Sequence, residues 1–250
     1  MATLSRSRLD DLLVERGLAD TRRRAQALIA AGLVEVDGVT ADSAALAVAS
    51  AAQVRLTDRD HPWAGRGGLK LDSALDHFGV ECSGRVCLDA GASTGGFTDV
   101  LLRRGATLVY AVDVGRGQLD PRLAADPRVR VMDRTNVRTL AALEGPSPSL
   151  VTLDLSFISL RAVLPNLALL APGAEVVALF KPQFEAPRGG VARGGVVRDP
   201  EVTAAALAAF RDWAAATMAV VVDDAVPAGV RGTKGNQEWL VHLRLPEATA

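Results

Sequence analysis

The sequence has few of the residues that staple a fold or bind metal. Two cysteines, Cys82 and Cys87, and three histidines occur in 250 residues. Two thiols are too few for a disulfide framework or a cysteine zinc site, and no histidine pair has ligand spacing, so no metal is expected. Both cysteines read as reduced and structural. His242, in "WLVHLRL", falls on a strand-like alternation and reads as a sheet residue. Excess charge of one sign is also lacking. The formal net charge is −1, so any polyanion must be met by local patches rather than by a global field. No apolar run reaches spanning length. The opening "MATLSRSRLDDLL" mixes charges where a secretory signal would be apolar. These absences point to a cytoplasmic chain with no membrane partner, and they leave the oligomeric state open.

What remains is an ordinary globular composition, 49% hydrophobic and 23% charged, with length for one full domain and a small companion. In the first sixty residues, Leu9, Leu12, Leu13 and Arg16 share a helical spacing that Gly17 can close. A second helix, capped by Asp20 or Thr21, turns Ala25, Leu28 and Ile29 inward and stops at Gly32. "LVEVDGVTA" reads as a hairpin turning at Asp37–Gly38, and "AAQVRLTD" as one more strand. Arg22, Arg23 and Arg24 open the second helix, from which they can reach phosphates. Asp10, Asp11, Glu15 and Asp20 lie in the same segment, so a solvated helix face accounts for the arginines equally well. Two small helices, a hairpin and an arginine run over about residues 6–58 resemble the S-four-type RNA-binding module. That resemblance implies a small α+β RNA-binding domain over 1–60. Pro62, Gly65, Gly67 and Gly68 then mark a linker over 61–70, with helical spacing from Leu69 onward.

The second part alternates strands and helices. Val86–Asp89 is a strand, Phe97–Arg104 a helix and Leu108–Asp113 a strand, with a small-residue turn between the first two. Further strands are predicted at Val129–Met132, Leu150–Asp154, Glu175–Phe180 and Met218–Val222, giving an α/β, doubly wound, mainly parallel sheet. The turn reads Gly91-Ala92-Ser93-Thr94-Gly95-Gly96. Ser93 stands where a dinucleotide fingerprint needs its second glycine, and no Gly-Lys-Ser/Thr follows for a P-loop. S-adenosylmethionine, which has no phosphate, suits such a loop better, with Gly91, Ser93 and Gly95 lining it. Asp89 is expected at its methionine end, Asp113 at the ribose hydroxyls and Asp133 at the adenine amino group.

The fourth strand ends "TLDLSFISL", without the Asn/Asp-Pro-Pro-aromatic run of enzymes that methylate base nitrogens. Neither cysteine follows a later strand, as cytosine-carbon chemistry would need. Asp154 ends strand four, Lys181 ends strand five, Glu238 opens the last strand and Lys70 arrives from the linker. Lys-Asp-Lys-Glu in that order resembles the tetrad of FtsJ-type RNA ribose 2′-O-methyltransferases. With "GASTGGFTD", "DLSFISL", "FKPQFE", "GGVVRD" and "GNQEWL", nearly the whole chain resembles the TlyA family, also labelled haemolysin A. The resemblance implies a Rossmann-like class I methyltransferase fold over 71–250, S-adenosylmethionine as cofactor, and cytidine 2′-O-methylation of ribosomal RNA or its subunits. Lys181 would activate the hydroxyl, its pKa lowered towards neutrality by burial and a second lysine. Asp154 would orient it, and Lys70 and Glu238 would position both. Arg188, Arg193 and Arg198, among paired glycines, are expected to close on RNA phosphates. Two other readings stand beside this one: a non-catalytic RNA-binding assembly factor, and a pore-forming haemolysin.

Overall fold

The computed structural model describes residues 6–19, 21–57, 61–192, 194–232 and 235–248. The chain forms two compact units, 1–66 and 67–250, so the division falls inside the stretch expected as a linker.

The first unit is built on two short helices, α1 (Leu9–Glu15) and α2 (Arg22–Ala30), preceded by a strand β1 (Arg6–Arg8). Leu9, Leu12 and Leu13 of α1 meet Ala25, Leu28 and Ile29 of α2 in one apolar cluster. The Thr21 side chain caps α2 by accepting from the Arg24 amide, and Asp20 lies outside the described residues. Strands β2 (Val34–Val36) and β3 (Val39–Thr40) form the expected hairpin, with Val36 opposite Val39. Asp37 and Gly38 both have positive φ, 51° and 83°, as a type I′ turn requires. β5 (Val54–Leu56) pairs with β2, and β4 (Ala47–Ala49) pairs with β1 in a two-stranded ribbon that periodicity does not reveal.

Under α2 sits a fully buried carboxylate. Asp10 accepts from Arg8 Nε and Nη2, both at 2.9 Å, from Arg22 Nε at 3.0 Å and from Gln26 Nε2 at 2.8 Å. The Arg8 hydrogen bond above all, against the cost of burial, holds its pKa far below the usual carboxylate range. Arg22, read as a phosphate contact, is thus engaged in fixing α2 to α1. Arg23 is exposed and Arg24 half-buried.

The second unit opens with α3 (Gly67–Phe78), followed by β6 (Val86–Ala90), α4 (Gly96–Arg103), β7 (Leu108–Val112), α5 (Pro121–Ala124) and β8 (Val129–Met132). Then come β9 (Leu150–Leu153), α6 (Leu164–Leu170), β10 (Glu175–Phe180), α7 (Pro182–Glu185), α8 (Pro200–Met218), β11 (Val222–Pro227) and β12 (Trp239–Arg244). Seven strands form one sheet in the order β11-β12-β10-β9-β6-β7-β8. From β10 to β8 all pairs are parallel, and β12 runs antiparallel between β10 and β11. Central strands reading "VCLDA", "LVTL" and "EVVALF" are buried almost throughout, as strands covered by helices on both faces must be. Leu88, Val151, Leu153, Val176 and Phe180 pack with Leu164, Leu167 and Phe210 of α6 and α8. The alternate residues face the opposite layer.

The expected strand at Met218–Val222 is displaced. Alanine-rich α8 runs through Met218, because its helix propensity outlasts the apolar signal. It stops at left-handed Ala219 (φ 53°), and the strand begins at Val222. Likewise α3 starts at Gly67 and not Leu69, so Lys70 stands on its first turn.

Replacing Asp10 with alanine should cost the first unit about 2 kcal/mol, the scale for stripping buried donors of their acceptor when two of them stay half exposed. Amide exchange in α1 and α2 should accelerate correspondingly. Because the folded pKa is depressed, this contribution should be complete above about pH 4 and fade only below it. Unchanged exchange in the variant contradicts the assignment.

A candidate active site at the carboxyl edge of the sheet

The parallel strands all end at one edge, and the residues that follow them converge there. The β6 and β7 ladders continue past the strands. Gly91 N and Ala92 N donate to Val112 O, Asp154 N to Ala90 O, and Asp113 N to Met132 O. Between these ends lies a cavity of about 530 Å³. Gly91 forms its floor with φ +86°, and a Cβ there would lie 2.3 Å from the Asp154 carbonyl oxygen. Only glycine allows the turn and the strand to approach so closely.

Asp113 presents its carboxylate in the cavity wall. One oxygen accepts from Ser93 N at 2.9 Å and the other from Gly115 N at 2.6 Å. Ser93 itself lines the cavity, with φ +48°. Gly95 plays a different part: it heads α4, and a Cβ would strike Leu123 Cδ1 at 2.4 Å, so it serves packing. Asp89 is not among the lining residues. Sheet alternation turns it beneath α4, where it accepts from Thr98 Oγ1 at 2.7 Å and Thr152 Oγ1 at 3.2 Å. Burial pushes its pKa up to about 7 despite those bonds. Asp133 is also absent from the lining; it accepts from Gly117 N at 2.6 Å and braces the loop after β7. Thr135 and Asn136 line the wall expected of Asp133. Val114, apolar and 70% exposed, lines it too. Val114, Thr135 and Asn136 were missed because they lie two to four residues past their strands, where the loop and not strand alternation decides which side chain faces in.

The four charged residues read as a tetrad do meet. Lys70 Nζ lies 2.6 Å from Glu238 Oε2, and Lys181 Nζ lies 2.6 Å from Asp154 Oδ1. Lys181 also donates to Ser156 Oγ at 3.2 Å. Lys70, Lys181 and Glu238 are all buried, while the Asp154 side chain keeps 27% exposure and opens on the cavity. The backbone at Gly232 lies against the Glu238 carboxylate; a Cβ there would be 2.4 Å from Oε1.

One electrostatic expectation is overturned. Burial does favour the neutral amine of Lys181, but Asp154 and Glu238 together outweigh it, and its pKa is raised. Asp154 is correspondingly lowered: burial opposes its charge, and Lys181 and Lys70 restore it. The two thiols are as inert as expected, since burial lifts Cys82 to about 11 and Cys87 to about 12.

Phe157 follows this cluster at the cavity mouth, 86% exposed and with φ +65°. Nothing in the pattern of "DLSFISL" singles it out. The glycine-arginine loop is tied down by Asn236, which donates to Gly195 O at 2.8 Å and accepts from Val197 N at 2.8 Å. Arg198 is exposed there, whereas Arg193 and the Arg188 side chain lie outside the described residues. Among the described residues no His/Cys/Asp/Glu group could hold a metal, and no helix is long and apolar enough to cross a membrane.

Comparison with known proteins agrees with this geometry. The family model described as FtsJ-like methyltransferase matches residues 63–245, and that of the S4 domain matches 7–54. The chain is 48% identical over 243 residues to the 16S/23S rRNA (cytidine-2′-O)-methyltransferase TlyA of Mycobacterium tuberculosis, covering 96% of this chain and 90% of that one. It is 44% identical over 249 residues to Bacillus subtilis YqxC, provisionally named an rRNA methyltransferase, covering 98% and 88%. A solved Streptococcus thermophilus structure, provisionally called a hemolysin, superposes with a TM-score of 0.75 at 37% identity, covering 98% of this chain and 90% of that one.

Removing the Lys181 charge, as in Lys181→Met, should raise the Asp154 pKa, because burial then acts with one cation fewer to oppose it. Carboxyl-carbon NMR titration reads this directly. An Asp154 that titrates unchanged contradicts the coupling.

Proposed function

We propose that this chain, which belongs to the TlyA family of FtsJ-like methyltransferases, methylates the 2′-hydroxyl of a cytidine ribose in ribosomal RNA, with S-adenosylmethionine as donor. The observation that carries the reading is the pairing of Lys181 with Asp154 and of Lys70 with Glu238, with Asp154 lining a cavity between parallel strand ends. The relatives' names supply the nucleotide and the RNA.

The cavity suits a cationic donor without phosphates. Its lining includes the carboxylates of Asp113 and Asp154 and, among the described residues, no lysine or arginine. A pyrophosphate would meet repulsion there, whereas a ribose diol can donate to Asp113 and a sulfonium is attracted to Asp154. Val114 offers an apolar face for an adenine ring, and Asn136 a polar group at its edge. When bound, S-adenosylmethionine supplies a methyl group activated by positively charged sulfur.

The protein's own part is placement and proton handling. Lys181, held between Asp154 and Ser156, can hydrogen-bond an incoming ribose oxygen and receive its proton once the amine is neutral. At rest it is an ammonium, since two carboxylates stabilise the charge. A cation in the cavity would draw on Asp154, weaken its hold on Lys181 and lower the amine's pKa, so donor binding should precede deprotonation. Glu238 and Lys70 keep the second pair in place and confine Lys181 to one position. Holding oxygen and methyl carbon in line supplies much of the acceleration.

RNA contacts follow the same logic. Arg23, Arg24 and Arg198, with Arg188 and Arg193, offer cations to phosphates, and exposed Phe157 offers a face for a base turned towards the cavity. Ribosomal RNA as substrate implies a cytoplasmic location.

Methyl transfer from labelled donor to ribosomal RNA of cells lacking the gene should fall roughly 10²–10⁴-fold in Lys181→Ala, with donor binding by calorimetry retained. In the unaltered protein the single-turnover rate should climb about tenfold per pH unit around neutrality, since the neutral amine is then the minor form. A full rate in the variant, or a rate independent of pH, refutes Lys181 as the proton acceptor.

A further inference from the structure

Two motifs at the site each hold a feature to which the proposed reaction assigns no role. In "DLSFIS" it is the backbone strain at Phe157; in "FKPQFE" it is Glu185, a half-buried carboxylate. A left-handed φ on a bulky aromatic costs free energy and persists only where neighbours enforce it. The neighbours are identifiable. Before Phe157, Ser156 Oγ accepts from Lys181 Nζ at 3.2 Å. After it, Ser159 Oγ donates to Glu185 Oε2 at 2.6 Å, and Leu160 N donates to Glu185 Oε1, also at 2.6 Å. Ser159 Oγ in turn accepts from Arg161 N at 3.2 Å and starts the 3₁₀ turn Leu160–Ala162. The Phe184 ring, one residue before Glu185, lies 5.3 Å from that of Phe157. The strained residue is therefore pinned on both sides.

We propose that Glu185 is a positioning residue: its carboxylate straps the 155–160 loop to α7 and so holds Phe157 at the cavity mouth as the surface on which an unpaired RNA base stacks. The inference rests on the reaction proposed above. Each Glu185 oxygen accepts from a donor of the loop, and Glu185 is not among the residues that line the cavity. Burial raises its pKa while Ser159, Leu160 and the nearby charge of Arg161 oppose the shift. The strap needs two correctly placed polar atoms and no charge. A glutamine supplies both, its oxygen accepting from Leu160 N and its nitrogen donating to Ser159 Oγ; an alanine supplies neither. An aromatic face recognises a base without reading its identity, so the effect should fall on placement of the target nucleotide.

The test is a double-mutant cycle in the full chain, read by methyl transfer to ribosomal RNA from cells lacking the gene. Glu185→Ala should slow transfer by about tenfold or more, the scale of a lost positioning contact beside reacting atoms. Glu185→Gln should stay within about twofold of the unaltered protein. In a Phe157→Ala background, Glu185→Ala should add less than about twofold, because residues acting through one another are not additive. Equal damage in both backgrounds, or a glutamine variant as slow as the alanine one, overturns the proposal. Amide exchange needs no turnover: Leu160 should exchange faster in Glu185→Ala and not in Glu185→Gln, and an unaltered rate in Glu185→Ala also overturns it. A protein that transfers no methyl at all sinks the reaction above, and exchange alone then judges the strap.

Discussion

Two lysines stay buried at the end of a parallel sheet because each touches a carboxylate at 2.6 Å. An isolated ammonium in that position would lose its proton or leave the interior. The pairing therefore explains both why the cations are tolerated and why they are useful. It stores charge beside a cavity whose own lining is acidic, and it leaves one member, Asp154, facing inward. A second cation entering the cavity must compete for that carboxylate. In the proposed reaction, donor binding and activation of the acceptor would be linked through that one side chain.

The alternation of strand and helix, the turn after β6 and the residue types of the tetrad were all legible in the sequence. Each reflects a local pattern: buried parallel strands read as short apolar runs, and functional residues follow their ends. Lys70, Asp154, Lys181 and Glu238 come from four distant segments, and only the sheet order brings them together. Their convergence was expected from resemblance and is visible in the distances. Asp89 and Asp133 also lie at strand ends, but make their hydrogen bonds within the fold, to Thr98 and Thr152 and to Gly117 N. Along a strand end, one residue separates a side chain aimed into the cavity from one turned beneath a helix. The raised pKa of Lys181 was illegible because it depends on burial weighed against two nearby carboxylates, which no spacing rule supplies. Strand β11 was misplaced because α8 carries its buried face past Phe210 to Ala214 and ends only at Met218, where the apolar run suggested a strand.

The parts around the pairs share one purpose. Gly91 lets the β6 turn touch the β9 end, Asn236 fixes the arginine loop to the segment that carries Glu238, and Glu185 ties the loop after Asp154 to the helix after Lys181. Each joins two neighbouring strand ends through backbone groups. The first unit uses the same device in miniature, where buried Asp10 clamps α2 through Arg22 and Gln26. An arginine that looks like a phosphate contact can thus be a structural partner, and only its neighbours distinguish the two roles.

The account comes down to where the methyl group lands. Ribosomal RNA incubated with the protein and isotopically labelled S-adenosylmethionine, digested to nucleosides and analysed by mass spectrometry, should carry its label as 2′-O-methylcytidine. Label on a base, or no label on RNA from a folded protein that binds the donor, contradicts a site built to activate a ribose oxygen.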